Sequence, residues 1–163
     1  MPENAVGKSS RRSPSAHELR VWRAFTETSE QLRSELASRM QSESALSSGD
    51  YVVLLALSEA DARTMRSSDL ATRIDWERSR LSHHLGRMEA RGLITREKCS
   101  TDNRGADVVL TEEGASLFRK ASAPHLHAVQ QLFVDALSAE LLDHVDEFTQ
   151  ALQRQLAMAR KRV

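Results

Sequence analysis

The side chains best suited to chemistry lie on one face of a predicted helix over residues 77–91. The other face is apolar at spacings of three and four, which predicts that it packs on a core. Its residues are Leu81, His84, Leu85 and Met88. Short polar side chains and arginines on the free face can reach base edges, and an arginine can hold guanine O6 and N7 through two hydrogen bonds. The candidate major-groove contacts are Arg78, Ser79, Arg80, Ser82, His83 and Arg87.

A basic arm follows this helix directly, in two predicted strands over residues 94–98 and 107–110. Asp102 stands two residues before Arg104, a spacing at which a carboxylate in a tight turn can hold a guanidinium and fix its direction. An arginine held in this way suits the narrow minor groove, where the potential is most negative. The candidate wing contacts are Arg96, Lys98, Asp102, Asn103 and Arg104.

Local helix signals place this basic block within the chain. Ser47 and Asp50 form a predicted capping box that begins an apolar, buried helix. Ser67 is the expected N-cap of a short helix over residues 68–74, and a turn then leads into the basic helix, which Gly92 ends. A short helix, a turn, a basic helix and an arm are typical of a winged helix-turn-helix, which lays its second helix in the major groove.

The two ends of the chain carry helices with wide apolar stripes. The first is predicted over residues 17–40, and the last begins after Ser138, which is expected to cap it. Between them, Thr111 begins a helix that is expected to continue to about residue 136, with Pro124 as a kink. Stripes too wide for one lobe to cover predict an obligate two-fold dimer, and an intramolecular hairpin of the terminal helices is the alternative. The candidate dimerisation residues are Leu19, Trp22, Phe25, Val145, Phe148 and Leu152.

The net charge is zero, but its distribution along the sequence is uneven. Residues 63–104 carry 10 Lys and Arg against 6 Asp and Glu, whereas residues 105–153 carry 2 against 8. A basic centre between acidic flanks concentrates positive potential on one surface, as phosphate binding requires. The alternative for these charges and for the basic helix is an ordinary solvated surface, and the arm would then be a surface hairpin with a weak ion pair.

Several classes of protein are excluded or disfavoured by composition. The 163 residues contain one cysteine, which excludes an internal disulfide framework and a cysteine-based zinc site. No apolar run approaches the ~20 residues that span a bilayer, and no secretory signal is visible, so we expect a cytoplasmic protein associated with the nucleoid. The acidic and histidine residues show no catalytic or metal-binding spacing, so we expect no enzyme, no metal and no cofactor. Aromatic residues are 4% of the chain, which argues against an RNA-stacking surface.

A family resemblance rests on quotable motifs. MEARGLI closes the basic helix, Asp-x-Arg stands in the arm, and LTEEG opens the next helix. With LSSGDYVVLLAL before them and LSAELL after them, these motifs resemble the MarR family of bacterial transcription regulators over nearly all of residues 17–160. Many members carry Asp-Arg-Arg in the wing, so the Asn103 of this chain implies one phosphate contact fewer.

The resemblance implies a mainly α-helical fold with a small β-wing. It also implies a homodimer of triangular shape with intertwined terminal helices, two winged lobes on one palindromic operator, and repression as the usual mode. A small ligand, often phenolic, would bind between lobe and dimer helices and weaken DNA binding. The expected division is a disordered tail at 1–15, an N-terminal dimerisation helix at 16–46, the DNA-binding lobe at 47–115 and C-terminal dimerisation helices at 116–163.

Two other functions stay open on the sequence. The winged lobe could bind another protein instead of DNA. Cys99, next to Lys98 in the arm, could sense oxidants, although the sensing cysteine of related regulators usually stands near the first helix.

Overall fold

A computed structural model of the chain describes residues 13–98 and 106–160. It is mainly α-helical with a small antiparallel sheet, as the sequence predicts. The helices are α1 Ala16–Ser44, α2 Ser48–Ser58, α3 Ser67–Arg73, α4 Arg78–Ala90, α5 Glu112–Val129 and α6 Ala139–Arg160. The strands are β1 Thr64–Arg66, β2 Ile94–Lys98 and β3 Ala106–Leu110.

Helix α2 forms the centre of the core and begins at the predicted capping box. The Ser47 hydroxyl accepts from the Asp50 backbone N–H at 3.1 Å, and the Asp50 carboxylate accepts from the Ser47 N–H at 3.0 Å. Val53, Leu54 and Leu57 are fully buried on this helix. They pack in one cluster with the apolar face of α4, which confirms the predicted orientation of that helix.

The sheet contains a strand that the sequence analysis did not predict. Its order is β1-β3-β2 with both pairs antiparallel, and Thr64 lies opposite Val109. β1 has three residues, too few for a period-two pattern to be recognised. It exists because β3 offers a second edge for backbone pairing.

The start of α3 corrects one prediction. Ser67 is the first residue of the helix and not its N-cap, which is Arg66. The side chain of Arg66 makes no capping hydrogen bond. The reason is that β1 runs without a loop into α3, so the last strand residue takes the extended conformation of a cap.

The predicted end of α4 and start of α5 are confirmed at their caps, whereas α5 ends at Val129 and not at about residue 136. Gly92 has φ +73° beyond α4, and the Thr111 hydroxyl accepts from the Gly114 N–H at 3.0 Å at the start of α5. Helix α5 contains Pro124 and stays α-helical as far as Val129. A π-helical turn, Gln130–Val134, then follows.

The terminal helices expose most of their apolar side chains. A division after Ser34 separates two compact units. In the first unit, Trp22 is 61% exposed, and Leu19 and Phe25 are also exposed. In the second unit, no residue of α6 is buried. Its apolar stripe is exposed apart from Val145, which is half-buried.

Alanine substitutions at Gly114 and Gly86 provide a matched test of how closely the lobe is packed. A Cβ on Gly114 would lie 2.1 Å from the Leu93 carbonyl oxygen, a backbone atom that cannot rotate away. Gly86 in α4 has no described atom within 4 Å of its Cβ position. We therefore expect Gly114→Ala to lower the free energy of unfolding by about 1–3 kcal/mol. Gly86→Ala should raise it by about 0.5–1 kcal/mol through helix propensity.

Urea unfolding followed by circular dichroism measures both changes. A Gly114→Ala variant as stable as the wild type would contradict the close approach of α5 to the Leu93 backbone.

Candidate nucleic-acid interface

The solvent face of α4 carries all six predicted major-groove residues. Each of them is exposed, while Leu81, Leu85 and Met88 on the opposite face are at most 2% exposed. Helix α3 and the turn containing Asp75 precede α4. Asp75 has φ +53°, a left-handed conformation that aspartate tolerates better than most residues. The chain therefore builds a helix-turn-helix with one anchored and one free face on its second helix.

Arg80 does not extend freely from this face. Its guanidinium carbon lies 4.2 Å from the centre of the Trp76 ring, within the range of a cation–π contact. Trp76 in turn meets the His84 ring edge-on, with centroids 5.2 Å apart.

A buried polar network joins α4 to the start of α2. Asp50 is 3% exposed, and one of its carboxylate oxygens accepts from Arg91 Nη1 at 2.7 Å. The other oxygen lies 3.0 Å from His84 Nε2, in a contact that does not reach hydrogen-bond geometry. Arg87 Nη2 lies 2.9 Å from Nδ1 of the same imidazole.

The network shifts the pKa values of Asp50 and His84. Burial by itself would raise the pKa of Asp50, but hydrogen bonds from Arg91 and Ser47 outweigh it and hold the pKa below its ordinary value. Burial lowers the pKa of His84, opposed by the Asp50 charge and reinforced by Arg87. At neutral pH the pair is therefore a carboxylate beside a neutral imidazole.

A basic cleft of about 640 Å³ lies beside α4, between the start of α3 and the sheet. Three arginines and three serines that share this cleft come from β1, α3, α4 and β2. They are Arg66, Arg78, Arg96, Ser67, Ser68 and Ser82. Residues 66–68 were not among the predicted contacts, because their proximity to α4 depends on the pairing of β1 with β3. Hydroxyls and guanidinium groups at one surface can bind phosphate oxygens.

The wing is described in part. Arg96 on β2 is paired with Glu89 of α4 through an Nε to Oε2 distance of 2.8 Å. The hydrogen bonds of Arg96 lower the pKa of Glu89. The Lys98 side chain, Cys99 and the predicted Asp102, Asn103 and Arg104 lie outside the described residues.

Neither a group of metal ligands nor a membrane-spanning helix occurs in the parts of the chain that the structure describes. Across residues 13–98 and 106–160, no group of three or more His, Cys, Asp or Glu side chains is placed to hold a metal ion. None of the helices within those ranges is both long enough and apolar enough to cross a membrane.

Comparisons with known proteins agree with this geometry. The sequence model of the MarR family matches residues 46–105. AbsC, a MarR family transcriptional regulator from Streptomyces coelicolor, is 36% identical, with a TM-score of 0.83 over 90% of this chain and 98% of that chain. Sco3205, a MarR family regulator of the same organism solved in complex with DNA, is 32% identical, with a TM-score of 0.86 over 91% and 92%.

A more distant structure shares the fold alone. The organohalide-sensing regulator RdhR-CbdbA1625, solved with 2,4-dichlorophenol, is 19% identical, with a TM-score of 0.75 over 95% of this chain and 89% of that chain. A search among curated proteins finds no match.

The lowered pKa of His84 predicts a pH dependence of stability. The imidazole of His84 binds a proton more readily in the unfolded chain than in the folded one. The contribution of His84 to the free energy of unfolding is therefore complete above its ordinary pKa of about 6.5. It is lost as the pH falls through that value towards the folded pKa. We expect the free energy of unfolding to fall between about pH 7.5 and 5.5, and His84→Gln to remove part of that fall.

Urea unfolding across this pH range measures the effect. His83→Gln is the matched control, because it makes the same substitution at an exposed position of the same helix. Part of the fall should persist in both variants, since burial also lowers the pKa of His125. A His84→Gln variant with an unchanged pH dependence would contradict the buried, neutral state of this histidine.

Proposed function

The chain belongs to the MarR family of DNA-binding transcriptional regulators, and we propose that it represses transcription by binding a palindromic operator as a homodimer. Such a protein would be found with the DNA of the nucleoid. The observation that carries the proposal is the face of α4, where exposed arginines and short polar residues adjoin a basic cleft.

The division of contacts follows from where each side chain lies. Arg78, Ser79 and Ser82 stand in the first half of α4, the part of a recognition helix that enters the major groove. The remaining proposed groove contacts are Arg80, His83 and Arg87. Arg66 and the serines of α3 border the same cleft, where they are suited to hold the phosphate backbone on either side of α4.

The wing is proposed to contact the adjacent minor groove. Arg104 would enter the groove, Asp102 would orient it, and Arg96, Lys98 and Asn103 would lie along the backbone. Arg96 would have to exchange its Glu89 partner for a phosphate, and an exposed ion pair of this kind costs little to separate. Sco3205, which is 32% identical, was solved in complex with DNA and supports DNA as the partner.

The exposed apolar stripes support the homodimer. In α6, Phe148 and Leu152 are exposed and Val145 is half-buried, and in α1 Leu19, Trp22 and Phe25 are exposed. A second copy would cover these surfaces by two-fold symmetry and would place two recognition helices about one DNA turn apart.

A groove between the C-terminal part of α1 and α5 supports release by a small ligand. Met40, Pro124 and His125 line it, and in this conformation it has no room for a water molecule. Nδ1 of His125 is buried without a hydrogen-bond partner among the described residues, and the ring packs on Tyr51 at a centroid distance of 4.6 Å. A hydroxylated aromatic molecule that opened the groove could satisfy this nitrogen and displace α5 relative to the lobe.

Selection of bound duplexes from random DNA tests the proposed function. We expect enrichment of a palindrome whose half-sites are centred about one helical turn apart, 10–10.5 base pairs. Recovery of no enriched sequence would contradict sequence-specific binding.

Arg104→Ala is the control variant for the same experiment. It should weaken binding to the selected duplex and reduce the slope of log affinity against log salt by about 1, while the dimer mass stays unchanged. Unchanged binding of the selected duplex by this variant would contradict the proposed minor-groove contact of Arg104.

Sedimentation equilibrium at low micromolar concentration tests the dimer. We expect a species of twice the 18.3 kDa chain mass. Leu152→Asp should shift it to the single-chain mass, because a carboxylate in the interface would lose its hydration. Leu55→Asp on α2 is the matched control, since the two leucines are 38% and 37% exposed. A wild-type protein that sediments at 18.3 kDa alone would contradict the proposal.

A further inference from the structure

We infer that His84 is a positioning residue for DNA recognition: its Nδ1 lone pair holds the Arg87 guanidinium at the reading face, and Asp50 holds the imidazole in the tautomer that this requires. The inference rests on the proposed function, and it assigns a role to a side chain on the buried face of α4.

The tautomer follows from the chemistry of arginine. Arg87 Nη2 lies 2.9 Å from His84 Nδ1. A guanidinium has N–H donors and no acceptor, so Nδ1 must be the acceptor in this contact. The imidazole is then neutral, with its proton on Nε2.

Asp50 stabilises this tautomer from the other side of the ring. Its Oδ1 lies 3.0 Å from Nε2, where a negative charge favours the N–H form of that nitrogen. The carboxylate cannot turn away, because its other oxygen accepts from Arg91 and from the Ser47 backbone.

The imidazole has little freedom to rotate. The Trp76 ring meets it edge-on at 5.2 Å, with an interplanar angle of 88°. On the α2 side, even a Cβ added to Gly49 would come within 2.9 Å of its Cε1 atom. The direction of the Nδ1 lone pair is therefore set by the packing of α2 against α4.

The consequence for DNA binding concerns the freedom of Arg87. This side chain is exposed on α4, and a free arginine would lose rotamer entropy on binding a base or a phosphate. The contact with His84 uses one of five N–H donors, so the remaining donors stay available to guanine O6 and N7. His84 thus restricts Arg87 before DNA arrives.

Two substitutions of His84 separate this role from packing. In His84→Asn the amide oxygen takes the place of Nδ1 as an acceptor for Arg87. In His84→Gln the longer amide takes the place of Nε2 towards Asp50 and leaves Arg87 without its acceptor. Binding is measured by fluorescence anisotropy on the most enriched duplex from the random selection, with a scrambled duplex as reference.

We expect Arg87→Ala to weaken specific binding about 5- to 100-fold, as for loss of one specific arginine contact. His84→Gln should approach that loss, and the double variant should bind no more weakly than Arg87→Ala, because both changes remove the same contact. His84→Asn should stay within about threefold of the wild type. Losses that multiply in the double variant, or equal losses in His84→Asn and His84→Gln, would overturn the inference.

A measurement on the wild-type protein covers the case in which a variant does not fold. The imidazole ¹⁵N chemical shifts of His84 should show a protonated Nε2 and an unprotonated Nδ1 that accepts a hydrogen bond. A proton on Nδ1 at pH 7.5 would overturn the inference whatever the variants do.

The outcomes also separate the inference from the proposed function. A wild-type protein that binds no duplex above the scrambled reference would overturn both. Specific binding by the wild type with an undiminished His84→Gln variant would overturn the positioning role alone.

Discussion

The buried carboxylate of Asp50 is the contact on which the helix-turn-helix lobe depends. It caps the start of α2, pairs with Arg91 beyond the end of α4, and faces His84 about two turns earlier on that helix. Removing a carboxylate from water costs several kcal/mol unless its oxygens gain partners. These partners come from both helices, so the ionised carboxylate is stable where α2 and α4 meet in this register.

The packing of α2 against α4 around Asp50 also determines how arginines of α4 are held at the surface. Trp76 and His84 lie at the border between the core and the surface. There Trp76 contacts the guanidinium group of Arg80, and His84 contacts that of Arg87. A chain with zero net charge can therefore present an oriented positive surface, because Trp76 and His84 hold Arg80 and Arg87 in place. The field near the helix, and not the total charge, is what a nucleic acid meets at short range.

The lobe and the terminal helices differ in how much of their apolar surface is buried. The lobe has an apolar cluster around Leu54, Leu57 and Leu81, which also includes Met40 of α1 and Ala121 of α5. Helix α6 buries none of its residues in the single chain, and the apolar residues near the start of α1 are equally exposed. Large exposed apolar faces on a chain with a complete core are typical of surfaces that meet another copy.

The features that can be recognised in the amino-acid sequence alone are those that short-range interactions control. The Ser47 capping box, the Thr111 cap, the left-handed Gly92 and the apolar periodicity of α4 all act within about four residues, so their patterns are visible before folding. These signals predicted the order of helices, the two arm strands and the face of α4 that carries the candidate contacts.

Other features depend on residues that are distant in the sequence and arise when the chain folds. β1 forms because residues 64–66 meet β3, and Arg66 is the cap of α3 because that strand leads into it. Asp50 and Arg91 are 41 residues apart, and no local pattern pairs them. The arginines and serines of the basic cleft likewise come from four elements. Such contacts form when burial and backbone pairing bring the elements together, so they appear only in the folded chain.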